Sequence, residues 1–141
     1  MILFGADESV ARWVSEGVTG RNDIFKEYAA IGILRNGQLV AGVVYHNYHT
    51  SLDERPLFIE MSVYSVDKRW CSRHNLKVIF AYPFAQLRLE RVQATCAAEN
   101  RGVQSFLERL GFSKEGYHPK AHLDGGDAVS YGMLKQDCKW L

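Results

Sequence analysis

The dipeptide Asn36-Gly37, set between the apolar runs Tyr28 to Leu34 and Leu39 to Tyr48, constrains this chain more than any other local feature. A two-residue loop matches the twist of antiparallel strands when both its residues take positive φ, and Asn-Gly does so readily. The spacing therefore predicts a hairpin in the first third. Leu57 to Ser65, rich in apolar and β-favouring residues, predicts a third long strand after the polar stretch His49 to Arg55. Met1 to Phe4 reads as a short leading strand. Asp7 is the expected N-cap of a helix with Val10, Trp13 and Val14 inward, closed off by Gly17 and Gly20. Residues 22–27 read as a short helix or a turn.

The second half alternates helix and strand. Leu76, Ile79, Phe80, Pro83, Phe84 and Leu87 form an apolar stripe at helical spacing, with Pro83 expected to kink it or mark a tight last turn. Arg91 to Ala97 predicts a short strand. Asn100 is placed to cap a helix with Val103, Phe106, Leu107 and Leu110 inward, ended by Gly111 in the left-handed conformation. Two last strands, near Lys114–Pro119 and Asp127–Leu134, are joined through Asp124-Gly125-Gly126. The element order implies one α+β (mixed α/β) domain over residues 1–141, with a parallel crossover through 72–90 and helices on both faces of a bent sheet.

Composition narrows the function classes. Lys and Arg number 17 against 16 Asp and Glu, so the basic excess of a general nucleic-acid binder is missing. No apolar run approaches the roughly 20 residues needed to span a bilayer, and the first residues lack the charged and apolar regions of a signal peptide. The cytoplasm is the expected compartment. The three cysteines, Cys71, Cys96 and Cys138, are far apart and have no metal-ligand spacing. His46 and His49 have the look of a metal pair. On a strand, positions i and i+3 face opposite sides, so they read as ordinary strand or loop histidines and no metal is expected.

Asn100-Arg-Gly-Val-Gln-Ser-Phe-Leu-Glu-Arg-Leu-Gly-Phe112, followed by Lys114-Glu115-Gly116, resembles the GNAT superfamily of N-acetyltransferases. Tyr82-Pro83-Phe84-Ala85, Leu89-Glu90-Arg91-Val92-Gln93-Ala94 and Tyr131-Gly132-Met133-Leu134 are similar to the branch holding the ribosomal-protein alanine acetyltransferases and their prophage-encoded relatives. The likeness covers residues 57–136 well and the first third by element order. It implies a fold in which two parallel neighbours, here 57–65 and 91–97, splay apart to admit acetyl-CoA as acetyl donor. The pantetheine arm then satisfies backbone groups that the splay leaves unpaired, and the pyrophosphate meets the N-terminus of the following helix. The partners implied are acetyl-CoA and an amine acceptor. A homodimer stays open.

The phosphate loop departs from the family's Arg/Gln-x-x-Gly-x-Gly/Ala. Lys68-Arg69-Trp70-Cys71-Ser72-Arg73-His74-Asn75-Leu76 has no glycine. It offers cationic side chains instead, and arginine binds phosphate oxygens in bidentate fashion. The cofactor-binding candidates are Ser62, Val63, Tyr64, Lys68, Arg69, Trp70, Arg73, His74, Asn75, Asn100 and Phe106. A solvated basic loop, with Trp70 a mere anchor, is the plainer reading of the same segment.

Glu60 is the candidate general base, on the strand lining the acetyl end of the cleft. Ser62 shares its face and is placed to orient water or substrate, and Asn100 to reach the thioester besides capping its helix. Each has an ordinary reading beside it: a strand carboxylate, a polar strand residue, a helix cap. Many relatives carry a tyrosine as general acid where this chain has Leu107. Tyr64, Tyr117, His118 and His122 are further residues in reach of the acceptor side. The function expected is direct acetyl transfer to a primary amine in a ternary complex. The alternative is a catalytically weak acyl-CoA-binding or phage accessory protein of the same fold.

Overall fold

The computed structural model describes residues 1–141. The elements run β1 (Ile2–Leu3), α1 (Asp7–Thr19), β2 (Tyr28–Arg35), β3 (Gln38–Thr50), β4 (Pro56–Ser65), α2 (Arg73–Ala81), β5 (Arg91–Ala97), α3 (Arg101–Leu110), β6 (Ser113–His118) and β7 (Ala128–Leu134). Short helical turns lie at Lys68–Trp70 and Lys135–Asp137. One seven-stranded sheet has the order β1-β2-β3-β4-β5-β7-β6, antiparallel everywhere except between β4 and β5. No helix is long and apolar enough to cross a membrane.

Local chemistry sets several boundaries as expected. Asn36 and Gly37 take φ of 53° and 77°, turning β2 into β3. The Asn100 side chain accepts the Val103 N–H at 3.1 Å, and Gly111 closes α3 at φ 111°. The other helices depart from expectation. Asp7 is the first residue of α1 and not its cap: Ala6 holds the cap position without a side-chain bond, and Asp7 with Glu8 puts negative charge at the positive end of the helix dipole. Gly17 stays inside α1, and Gly20 alone ends it, at φ 79°. Residues 22–27 form no helix. Pro83 sits in a wide π-type turn, Tyr82–Gln86, that unwinds the end of α2. Val103 faces solvent, while Leu107 and Leu110 carry the buried face of α3.

Alternation along the strands puts helices on opposite faces. Ala30 and Val44 pack with Val10, Ala11 and Val14 of α1. Their neighbours Ile31, Val43 and Tyr45 join the larger core with Leu76, Ile79 and Phe80 of α2 and Leu107 and Leu110 of α3. Phe80 and Phe84 are fully buried there, their rings stacked 6.4 Å apart. Truncating either to alanine would cost about 3–5 kcal/mol, transfer and cavity together. The buried Tyr45 hydroxyl escapes the cost of isolation by donating to the Ile79 carbonyl at 2.7 Å.

Candidate functional site

Strands β4 and β5 pair over only three positions, Phe58–Arg91, Ile59–Val92 and Glu60–Gln93. Beyond Glu60, β4 stays on β3 out to Ser65–Ala41. Beyond Gln93, β5 stays on β7 out to Ala97–Ala128. The two neighbours therefore part in mid-sheet. Residues 61–65 and 94–97 have no strand partner across the gap, which leaves backbone donors and acceptors free for an extended ligand.

Glu60 sits where the strands part, with a cluster of polar groups around it. The Asn47 side-chain amide donates to its Oε1 at 3.2 Å, and His46 Nε2 lies 3.9 Å from its Oε2. The same Nε2 is 2.8 Å from Ser62 Oγ. Both side chains are largely enclosed, 14% exposed for His46 and 18% for Glu60. The Phe25 ring closes edge-on against the imidazole, centroids 4.8 Å apart. Burial lowers the His46 pKa below its ordinary value, and the Glu60 charge opposes that in part.

A bulge just past His46 adjoins this cluster and overturns the expectation that the two histidines face opposite sides. His46 pairs with Glu60, but His49 pairs with Phe58, two positions along β4, so one extra residue is taken up between them. Asn47 carries the kink at φ 54°. His49 consequently returns to the face of His46 and stacks on Phe58 at 4.6 Å. The missed signal is Asn47, a residue that tolerates left-handed backbone in the middle of a strand.

The other candidates occupy different places. Val63 packs against the main core, and Tyr64 against Trp13 of α1 at 5.1 Å. Trp70 is buried and contacts Phe106 of α3, ring centroids 5.9 Å apart. Arg69 is not free: Asp67 takes its backbone N–H and grips its guanidinium with both carboxylate oxygens, at 2.9 to 3.0 Å. That grip, with Arg35 nearby at 3.6 Å, pulls the Asp67 carboxyl down to about 2. Ser72 caps α2 by accepting the Asn75 N–H at 3.1 Å, and the Asn75 side chain donates to the Trp70 carbonyl at 2.8 Å. Lys68, Arg73, His74 and Lys77 stay exposed around this helix start, Arg73 lying over the Trp140 ring at 5.8 Å.

Asn100 is exposed and bonded as a cap. Leu107 is buried in the main core. Tyr117 bonds Asp127, His118 approaches Ser130 at 2.9 Å, and His122 approaches Asp124 at 2.8 Å, so all three are engaged within the β6–β7 hairpin. Burial pushes the Cys71 thiol up to about 11 and raises Cys96 and Cys138 as well, so none is a ready thiolate near neutral pH.

No protein-family model matches the chain, and no curated protein matches it in sequence. Solved structures do match in fold. A probable acetyltransferase is 24% identical, with a TM-score of 0.63 over 81% of this chain and 63% of its own. A mutant of the spermidine N-acetyltransferase SpeG from Vibrio cholerae is 14% identical, with a TM-score of 0.70 over 100% of this chain and 97% of its own. RimJ from Mycobacterium smegmatis, in complex with CoA-disulfide, is 19% identical, with a TM-score of 0.61 over 77% of this chain and 54% of its own. The chain thus spans less than two thirds of the first and about half of the last. Its architecture is the GNAT acetyltransferase fold.

Proposed function

We propose that this chain transfers an acetyl group from acetyl-CoA to a primary amine by direct attack in a ternary complex. The observation that carries the reading is the parting of β4 from β5 with a carboxylate, Glu60, at its vertex. An extended amide-bearing arm is the ligand such a gap suits, because it supplies the pairing that each strand lacks. Acetyl-CoA supplies a thioester acyl group whose thiolate leaves readily.

The chain's own residues would do the rest. The exposed cations Lys68, Arg73, His74 and Lys77, with the first N–H groups of α2, would receive the pyrophosphate. Arg69 would serve mainly as the partner of Asp67, shaping the loop in place of glycine. Ser62, Val63 and Tyr64 would lie along the arm by their backbone, and Trp70, Asn75 and Phe106 would hold the loop against α3. Asn100 would stand at the mouth of the gap. Glu60 would attract the ammonium form of the acceptor and accept its proton, directly or through water. The protonated cysteines favour direct transfer over an acyl-enzyme. A protein N-terminus and a small-molecule amine are both suitable acceptors, and the cytoplasm is the compartment this reading assigns.

One observation favours a second reading, an acyl-CoA-binding protein of weak catalysis. Leu107 is buried where relatives place a general-acid tyrosine. The thiolate is a good leaving group, so that loss is tolerable, and the enzyme reading stands first. Thiol release from acetyl-CoA over a panel of peptides and amines decides between them: turnover supports the enzyme, and saturable binding without turnover supports the binding protein.

A further inference from the structure

We propose that His46 and Glu60 act as one proton-accepting pair, reached by the acceptor amine through the Ser62 hydroxyl. This rests on the acetyl-transfer reading above and assigns a role to a residue outside the expected site. The geometry carries it. One nitrogen, His46 Nε2, faces both Ser62 Oγ at 2.8 Å and Glu60 Oε2 at 3.9 Å. In a hydrolase triad the carboxylate binds the other ring nitrogen and orients the imidazole toward a nucleophilic serine. Here both groups meet the same nitrogen, so the arrangement suits proton storage and not activation of Ser62 as a nucleophile.

The rest of the cluster is built to hold that geometry. Asn47 ties down Glu60 Oε1, which leaves Oε2 turned to the imidazole. Phe25 packs edge-on against the imidazole and braces its ring plane. The titratable groups that face His46 are Glu60 from β4 and Tyr28, its cross-strand partner on β2. Phe25 adds no charge. Burial favours the neutral imidazole, and Glu60 favours the imidazolium once a proton arrives. The imidazole is thus free to take a proton, and the carboxylate beside it steadies the charge that results.

The step balances as a simple relay. The acceptor ammonium gives one N–H proton to Ser62 Oγ as Ser62 passes its own proton to Nε2. The amine is left neutral, Ser62 is unchanged, and the imidazolium sits beside the Glu60 carboxylate. The amine's second proton leaves with the thiol after attack, and His46 returns its proton to solvent.

The test combines ring titration by NMR with pH–rate profiles for the wild type, His46→Gln, Glu60→Gln and Ser62→Ala. His46 resonances are identified by their loss in His46→Gln. The pair predicts that Glu60→Gln moves the His46 titration midpoint to lower pH and carries the acidic limb of kcat/KM with it. His46→Gln should abolish that limb and lower kcat by about 10²–10⁴-fold, with acetyl-CoA affinity kept. Ser62→Ala should lower kcat yet keep the midpoint. A midpoint indifferent to Glu60→Gln, or a limb and rate unchanged in His46→Gln, overturns the pair while leaving acetyl transfer intact. A wild type that binds acetyl-CoA but acetylates no amine overturns the acetyl-transfer reading and the pair with it. If His46→Gln fails to fold, the response to Glu60→Gln still decides.

Discussion

Glu60 and Gln93 are the last residues to face each other across β4 and β5, and the side chain at that final step is a carboxylate. Position and chemistry coincide there. The sheet opens after Glu60, and its carboxylate lies within reach of His46 and Asn47 at the vertex of the opening.

Replacing Glu60 by glutamine keeps the shape and removes the charge. Acetyl-CoA affinity should stay the same by calorimetry, while turnover should fall by about 10²–10⁴-fold. A mutant that loses stability but keeps its rate per folded molecule would make Glu60 a structural residue.

The basic start of α2 should hold phosphate. Alanine at both Arg69 and Arg73 should weaken acetyl-CoA and desulfo-CoA alike, because neither guanidinium is placed for the thioester. A charge-assisted hydrogen bond is worth about 1.5–3 kcal/mol, well within calorimetric reach. Arg73→Ala alone should account for most of the loss, since Asp67 already holds the Arg69 guanidinium.

Stability should depend on the state of His46. Its folded pKa lies below the ordinary 6.5 because burial disfavours the charge. Between the two values the unfolded chain binds more protons, so this contribution is complete above the unfolded value and declines as pH falls through that window. Denaturant melts from pH 7 downward should show the decline, and His46→Gln should flatten it.

Gly17→Ala tests the packing beneath the site. Alanine gains up to about 1 kcal/mol in helix propensity. A Cβ at this position would overlap the Tyr64 ring, however, and that ring is backed by Trp13. Overpacking of this sort costs about 1–3 kcal/mol. The melting temperature should therefore fall, although the same substitution at an exposed helical glycine would raise it.

Where structure follows from a few neighbouring residues, it was legible in the sequence. Asn36-Gly37 set the hairpin, Asn100 and Gly111 bounded α3, and strand β5 lay at residues 91–97. Asp7 misled because an acidic residue serves almost equally well as a cap or within the first turn. The site was half legible. Glu60 and Ser62 shared a face by simple alternation, but His46 joined them through the pairing register of β3 on β4, a long-range decision, and Asn47 through the bulge that follows it. Arg69 stands out in the sequence by its charge alone. Its commitment to Asp67, two residues back, depends on a helical turn that alternation does not reveal.

The central claim is that the gap between β4 and β5 holds acetyl-CoA. Amide hydrogen exchange with and without acetyl-CoA tests it most directly, since the backbone on either side of the gap has no strand partner until a ligand pairs with it. Saturating acetyl-CoA should slow exchange within 61–65 and 94–97 and at the first amides of α2, leaving β2 and β6 unchanged. Exchange that stays unaltered in both gap segments, or protection that appears only elsewhere, would contradict it.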